Sequence, residues 1–362
     1  MKKFAWFLTL MLVLTLVLSA CGAPATQAPV AEPTDAPVDE PVEVPATEDA
    51  TEEPAATEAA GGEPFRVAVV MPSAINDLAF SQSMYDALLR VQEEMGAENF
   101  EFVYSENMFV VDDAAAAIRD YASQGYDLVI GHGSQYGSSL QEIAPDFPET
   151  SFAWGTTVDT FGEPNIFAYE AASHEGGFVN GVMAATLSES NVIGVVGPIE
   201  TGDAKLYVDG FKAGVLSVKP DATVNVNYIG SFSDVALASE AATTHISAGA
   251  DVLTGTAQMV VGAIGKAEES DVLWFGTQSN QTSLAPSIVV ASQVYHWEGI
   301  VNEMISLIKS GTLGGQSFTA NLANGGEVIE FNPDSPVLAD AQALAETTIE
   351  GVKDGSITIT LP

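Results

Sequence analysis

Three segments of this chain recur in the same order about 124 residues further along. The run RVAVVM at residue 66 is matched by NVIGVVG at 191, and ENFEFVYSE at 98 is matched by ATVNVNYIGS at 222. The third pair is YASQGYDLVIGHGSQ (121–135) and HISAGADVLTGTAQ (245–258). A repeat of this kind indicates two halves built on one plan.

Each half alternates short apolar runs with segments of helix length that end at glycine, as at Gly96, Gly125 and Gly249. Glycine commonly follows the last turn of a helix. Strands that alternate with helices form parallel sheets through right-handed crossovers. Ligands bind such sheets at the carboxyl ends of the strands. The sequence therefore predicts an α/β fold of two doubly wound parallel-sheet lobes with a ligand cleft between them.

The predicted domain boundaries follow this repeat. We place the N-terminal α/β lobe at 65–175 and the C-terminal α/β lobe at 176–294. Residues 295–362 are predicted to form a crossover helix and a C-terminal segment that returns to the lobes. About 300 residues are enough for two domains of ordinary size. After the first 21 residues, no apolar run is long enough to span a bilayer.

Residues 1–21 have the pattern of a signal peptide: Lys2 and Lys3, an apolar stretch over 4–18, and small residues before Cys21. The end of this segment resembles the lipobox of bacterial lipoproteins, in which the cysteine is lipidated and becomes the mature N-terminus. The alternative is an ordinary secretory signal followed by a chance cysteine. We expect lipidation at Cys21 and a protein anchored on the extracytoplasmic face of the cell membrane.

Residues 22–64 consist mainly of Ala, Pro, Thr, Val and eleven acidic residues, without Lys or Arg. Like charges and proline keep such a segment extended, so we predict a disordered tether. The whole chain has a net charge of −38, and residues 65–362 alone carry 38 acidic against nine basic residues. A surface this acidic argues against nucleic acid as a partner, because nucleic-acid binding depends on neutralising phosphates.

Sequence motifs for catalysis are absent: the chain has no phosphate-binding P-loop, dinucleotide fingerprint or serine nucleophile elbow. The four histidines, His132, His174, His245 and His296, are not spaced as metal ligands. We therefore predict a binding protein that is not an enzyme and has no cofactor or metal, and we expect it to be a monomer.

The run INDLAFSQSMYDAL (75–88) resembles a turn of the basic membrane protein family, the PnrA-like nucleoside-binding lipoproteins. The resemblance extends from residue 65 to about 330. The other similar blocks are FAYEAASHEGGFVNGVMAATLS, VDGFKAGVLSVKPDATVNVNYIGSFSD, HISAGADVLTGTAQ and FGTQSNQTSLAPSIVVASQV. The resemblance implies a type I periplasmic-binding-protein fold and a substrate-binding lipoprotein of an ABC importer, which works with permease subunits.

The same resemblance implies a purine nucleoside held between aromatic side chains, with its ribose bound by an Asp and a Lys. Asp77 and Phe80 match the family's aspartate and stacking aromatic in the first turn, and Phe232 falls where a second aromatic is expected. Asp77 is equally suited to cap a helix, and either phenylalanine could instead belong to the core. The remaining predicted ligand-binding residues are Asn76, Ser81, His132, Ser134, Tyr136, Trp154, Gly255, Thr256, Gln278, Asn280 and Tyr295.

The chain departs from the family at the polar contacts to ribose. Gln278 stands where the family has Asp, and Tyr295 stands where it has Lys. The carboxylate expected after the third strand is also missing near Ser134. We therefore expect the charged contacts to ribose to be missing, and an apolar, aromatic, hydrogen-bonding pocket that binds a purine-like solute, either nucleoside or nucleobase. The alternatives are another small neutral solute in the same fold, or a sensor that presents its ligand to a membrane receptor.

Overall fold

The computed structural model describes residues 63–362. The predicted signal peptide, Cys21 and nearly all of the predicted tether lie outside the described residues. The first part of the described chain contains β1 (Phe65–Val70), α1 (Phe80–Met95), β2 (Phe100–Ser105), α2 (Val111–Ser123), β3 (Leu128–His132), α3 (Gly137–Ile143), β4 (Ser151–Gly155) and β5 (Ile166–Ala171).

A second run of elements follows the same order of strand and helix. It contains α4 (His174–Leu187), β6 (Val192–Gly197), α5 (Gly202–Val218), β7 (Thr223–Tyr228), α6 (Val235–Ser247), β8 (Val252–Gly255), α7 (Val260–Glu269), β9 (Leu273–Gly276) and β10 (Val289–Tyr295). The chain closes with α8 (Glu298–Lys309), β11 (Ser317–Ala320), β12 (Glu327–Phe331) and α9 (Leu338–Lys353).

The strands form two six-stranded sheets with matching orders, β11-β5-β4-β3-β1-β2 and β12-β10-β9-β8-β6-β7. Neighbouring strands are parallel throughout, except that β12 pairs antiparallel with β10. The predicted fold class of two parallel-sheet α/β lobes is therefore confirmed. We call the lobe around the first sheet lobe 1 and the other lobe 2.

Both faces of each sheet are covered, which explains why inner strands such as β1 and β6 are apolar along nearly their whole length. In β1, Val67 and Val69 pack into one core cluster, whereas Ala68 and Val70 pack into another on the opposite face. Side chains alternate between the two faces of a strand, so both clusters form from consecutive residues.

The chain passes between the lobes three times: between β5 and α4, between β10 and α8, and between β11 and β12. Helix α4 packs into the core of lobe 2, and α8 packs into the core of lobe 1. The final segment thus adds one edge strand to each sheet.

Helices α4 and α5 cross with their backbones in direct contact. A Cβ atom placed on Gly181 would lie 2.1 Å from the carbonyl oxygen of Phe211, and one on Gly214 would lie 2.1 Å from that of Phe178. Only glycine permits this approach. The contact fixes α5, whose N-terminal end faces the space between the lobes.

Candidate functional site

A cavity of about 240 Å³ lies between the two lobes, where several strands of both sheets end. This is the position at which open parallel sheets bind ligands. From lobe 1 its lining includes Phe80, Phe109, Ser134, Gln135 and Thr156. From lobe 2 its lining includes Asp203, Phe232, Ala257, Gln258 and Gln278.

Direct hydrogen bonds join the lobes beside this cavity. Three of them connect the turn before α1 with loops of lobe 2: Gln258 Nε2 to Ser73 Oγ (2.8 Å), Ser279 Oγ to the Ala79 carbonyl (2.8 Å), and Gln281 Nε2 to the Leu78 carbonyl (3.2 Å). The structure therefore shows the two walls of the cleft in contact.

The Asp77 carboxylate is directed toward its own turn. Oδ1 accepts hydrogen bonds from the backbone N–H groups of Ala79 (2.8 Å) and Gln82 (3.1 Å). Oδ2 accepts from the Ser81 N–H (3.2 Å) and the Ser73 hydroxyl (2.5 Å). Burial raises the pKa of Asp77, and these hydrogen bonds counter the rise. Asp77 thus satisfies free N–H groups at the start of α1 and does not line the cavity.

Phe80 is supported from behind by His132. Their rings stack with centroids 3.8 Å apart and planes at 9°. His132 Nε2 lies 3.0 Å from the Phe80 carbonyl, and Nδ1 lies 2.7 Å from the Tyr169 hydroxyl. Burial lowers the pKa of His132 to about 3, so the imidazole is neutral near pH 7. Since a carbonyl only accepts, Nε2 carries the proton, and Nδ1 accepts from Tyr169.

Asp203 places a carboxylate in the cavity wall, from the first turn of α5. Its Oδ1 accepts from Thr156 Oγ1 of lobe 1 (3.1 Å), and its Oδ2 lies 3.4 Å from the Tyr295 hydroxyl. Both distances exceed the usual range for a hydroxyl donor. Burial raises the pKa of Asp203. The cleft thus contains a carboxylate that was not among the predicted ligand-binding residues.

Gln278 lines the cavity from a strained backbone position. It is 4% exposed and has φ of 69°, a conformation that costs free energy for a residue other than glycine. Ala257, also in the lining, has φ of 76°. The side-chain oxygen of Gln278 is buried and has no hydrogen-bond partner among residues 63–362. A ligand that supplies a donor would satisfy this acceptor.

The other predicted residues occupy different surroundings. Ser134 and Phe232 line the cavity with Phe80 and Gln278. Outside the lining, the Tyr136 hydroxyl donates to the Met108 carbonyl at 2.7 Å, and Trp154 stacks on Phe161 with centroids 4.8 Å apart. Ser81 is buried with its hydroxyl 2.6 Å from Ser73 Oγ, and Asn76 is exposed.

Four predicted residues on the lobe 2 side also lie outside the lining, and one of them is Tyr295, which lies beside Asp203. Gly255 and Thr256 are buried at the end of β8, and a Cβ atom on Gly255 would lie 2.7 Å from the Val196 carbonyl oxygen. Asn280 turns away and donates to Glu330 Oε2 at 2.6 Å. Gly255 thus serves close packing of the strands.

Sequence reasoning missed several lining residues: Phe109, Gln135, Thr156, Asp203 and Gln258. For Asp203 a signal existed in the repeat. Asp203 lies 126 residues after Asp77, close to the repeat offset, and both follow the first strand of their half. Phe109 follows β2, outside the quoted family blocks, and carries no comparable signal.

Among residues 63–362, no group of three or more His, Cys, Asp or Glu side chains is arranged to hold a metal ion. His245 Nε2 lies 3.2 Å from the Val195 carbonyl, and His296 lies beside Glu298 and Glu330. Within the same residues, each helix is too short or too polar to cross a membrane.

Comparisons with known proteins show what this chain is similar to. A purine-binding protein of Brucella abortus is 25% identical over 295 residues, which cover 82% of this chain and 83% of that protein. An ABC transporter nucleoside-binding protein of Lactococcus lactis is 27% identical over 308 residues, covering 79% and 86%. An ABC transporter solute-binding protein of Conexibacter woesei has the same fold, with a TM-score of 0.66 at 23% identity over 82% of this chain and 98% of the other.

The family assignment rests on most of the described chain. Residues 65–354 match the model of the family described as ABC transporter substrate-binding protein PnrA-like. This range contains both lobes and every residue of the cavity lining named above. The resemblance found in the sequence is thereby confirmed, and the chain belongs to the PnrA-like family of ABC transporter substrate-binding proteins.

Proposed function

We propose that this protein is the substrate-binding lipoprotein of an ABC importer and that it binds a purine-like solute, nucleoside or nucleobase, between its lobes. The observation that best supports this proposal is that Phe80 of lobe 1 and Phe232 of lobe 2 line one small cavity. Aromatic faces from opposite walls suit a flat ring, because stacking is favourable for every base.

The size and charge of the cavity support a small uncharged ligand. Its volume of about 240 Å³ lies below the range of roughly 300–1,000 Å³ typical of drug-sized ligands. The lining includes one carboxylate, Asp203, and no Lys or Arg. An anionic solute would therefore meet an unpaired charge of its own sign.

The family supports transport as the role of this binding. Its members are ABC transporter substrate-binding proteins, which act outside the cytoplasm and deliver ligands to permease subunits. We propose that this chain does so as a monomer, held on the membrane by lipid on Cys21 through the tether of residues 22–64. The family match begins at residue 65, where the predicted tether ends.

The ligand can be identified directly. We expect mass spectrometry of the purified full-length protein to find a purine base or nucleoside released on unfolding. Titration calorimetry should then show that Phe80→Ala and Phe232→Ala each weaken its binding. Loss of a base–aromatic stack costs about 1–3 kcal/mol, or roughly 5–150-fold in affinity.

Phe161→Ala is the matched control. Phe161 stacks on Trp154 in lobe 1, outside the lining of the cavity, so its loss should leave affinity unchanged. Release of a sugar, or a Phe232→Ala protein with full affinity for a purine, would contradict the proposal.

A further inference from the structure

The lobe 2 wall of the cavity offers acceptors that the protein itself does not use fully. An ionised carboxylate can accept about four hydrogen bonds. The side-chain donors to Asp203 are Thr156 at 3.1 Å and Tyr295 at 3.4 Å. The backbone N–H groups of Asp203 and Ala204 also favour its charged form. Because both hydroxyl contacts are long, donors of a ligand can replace them at closer range.

Gln278 adds a second open group in the same lining. Its buried side-chain oxygen has no partner among residues 63–362. Its amide presents one acceptor and two donors. A carboxylate and an unpaired amide oxygen in the same lining thus favour a ligand that carries several N–H donors.

The surroundings make an ionised Asp203 tolerable without a cation. It lies in the first turn of α5, where the positive end of the helix dipole favours negative charge. Since no Lys or Arg lines the cavity, nothing there would neutralise a phosphate on the ligand. The wall therefore favours an uncharged donor edge over an anionic group.

We propose that Asp203 is the specificity-determining residue of this site and selects 6-oxopurines by accepting hydrogen bonds from their Watson–Crick edge. This inference rests on the proposed function. In guanine, N1–H and the 2-amino group are adjacent donors that a carboxylate can accept together, and any further N–H of the base can be accepted by the unpaired Gln278 oxygen. Adenine presents an unprotonated N1 there, whose lone pair would face the carboxylate. A nucleotide would bring a phosphate that the cavity cannot neutralise.

The test is a titration panel on the full-length protein with guanine, hypoxanthine, adenine, guanosine and guanosine monophosphate. We expect guanine to bind at least about tenfold more tightly than adenine, since a good bidentate pair discriminates by that amount or more. Hypoxanthine, with N1–H but no 2-amino group, should fall between them. Guanosine monophosphate should bind more weakly than guanosine.

Asp203→Asn should lower guanine affinity at least about tenfold and bring the guanine-to-adenine ratio close to one, because the charge-assisted pair is lost. Asp209→Asn is the matched control. It removes a carboxylate from the same helix, where Asp209 pairs with Lys205 at 2.5 Å outside the cavity lining, and should leave the ratio unchanged. Thermal melts check that both variants fold.

Three results would overturn the inference. Equal affinity of the unmodified protein for guanine and adenine would do so without any variant. An Asp203→Asn protein that loses guanosine but retains guanine would show that the carboxylate binds the sugar. If no purine base or nucleoside binds at all, the proposed function fails, and this inference fails with it.

Discussion

Asp77 and Asp203 occupy the same place in the two lobes, and the protein uses them differently. Each follows the first strand of its half, β1 or β6, and precedes the helix that comes next. Asp77 accepts four hydrogen bonds, all from residues of its own turn and helix start. The side-chain donors to Asp203 come instead from Thr156 at the end of β4 and Tyr295 at the end of β10.

The difference extends to the two walls of the cleft. In lobe 1, the polar groups behind Phe80 are paired with each other, since His132 is bonded at both ring nitrogens. In lobe 2, Asp203 and the Gln278 amide keep capacity for a ligand. The polar groups of lobe 1 are already hydrogen-bonded and hold Phe80 rigidly. Those of lobe 2 gain their missing hydrogen bonds only when a ligand binds.

The largest predicted effect is the loss of folding stability when His132, which supports Phe80 in lobe 1, is protonated. The unfolded imidazole titrates near 6.5 and the folded one only near 3, so the unfolded state binds more protons between these values. Stability should be complete above about pH 6.5 and fall toward pH 3, by on the order of 5 kcal/mol from this group. Urea unfolding across this pH range measures it.

His132→Gln isolates this contribution. Burial also lowers the pKa values of His174 and His245, so the whole protein loses stability in the same direction. We expect the pH dependence of the variant to be flatter than that of the unmodified protein. If the free energy of unfolding depends on pH equally in both proteins, His132 is accessible to protons in the folded state. The stack of Phe80 on His132 would then be less rigid than its contacts indicate.

A second prediction compares the two aspartates directly. Asp77→Asn should lower the free energy of unfolding by about 1.5–3 kcal/mol, because it weakens charge-assisted bonds to three backbone N–H groups and one hydroxyl. Asp203→Asn should change it by less than about 1 kcal/mol or raise it, because burial disfavours the charged carboxylate more than its long hydroxyl contacts favour it. Urea unfolding of the ligand-free proteins at pH 7 decides between them. Equal losses would contradict the division of roles.

The smallest expected effect concerns the contact between the walls. Ser279→Ala removes the 2.8 Å hydrogen bond to the Ala79 carbonyl and so favours separation of the lobes. A hydrogen bond of this kind contributes about 1 kcal/mol, or roughly fivefold in ligand affinity measured by calorimetry. Ser123→Ala is the control, because its hydroxyl bonds only to the Asp120 carbonyl within lobe 1. Equal ligand affinities for the two variants would show that the Ser279–Ala79 hydrogen bond does not contribute to closure of the cleft.

The sequence by itself determined the two-lobed α/β fold. The repeat and the alternation of strand and helix depend on local patterns, such as the helix-ending glycines Gly125 and Gly249, which have φ of 74° and 95°. The family resemblance, and not periodicity, led to Phe80, Phe232, Ser134 and Gln278, all in the lining. Local periodicity is enough for the fold because residues close in the chain create its strands and helices.

The tertiary structure was needed to show that Asp203, and not the equivalent Asp77, faces the cavity. Asp203 is 47 residues from Thr156 and 92 residues from Tyr295, so its surroundings are assembled from distant parts of the chain. The donors around Asp77 all lie within five residues of it. A carboxylate turns inward or outward according to the donors within reach, and for Asp203 those donors are brought together only by the packing of the lobes.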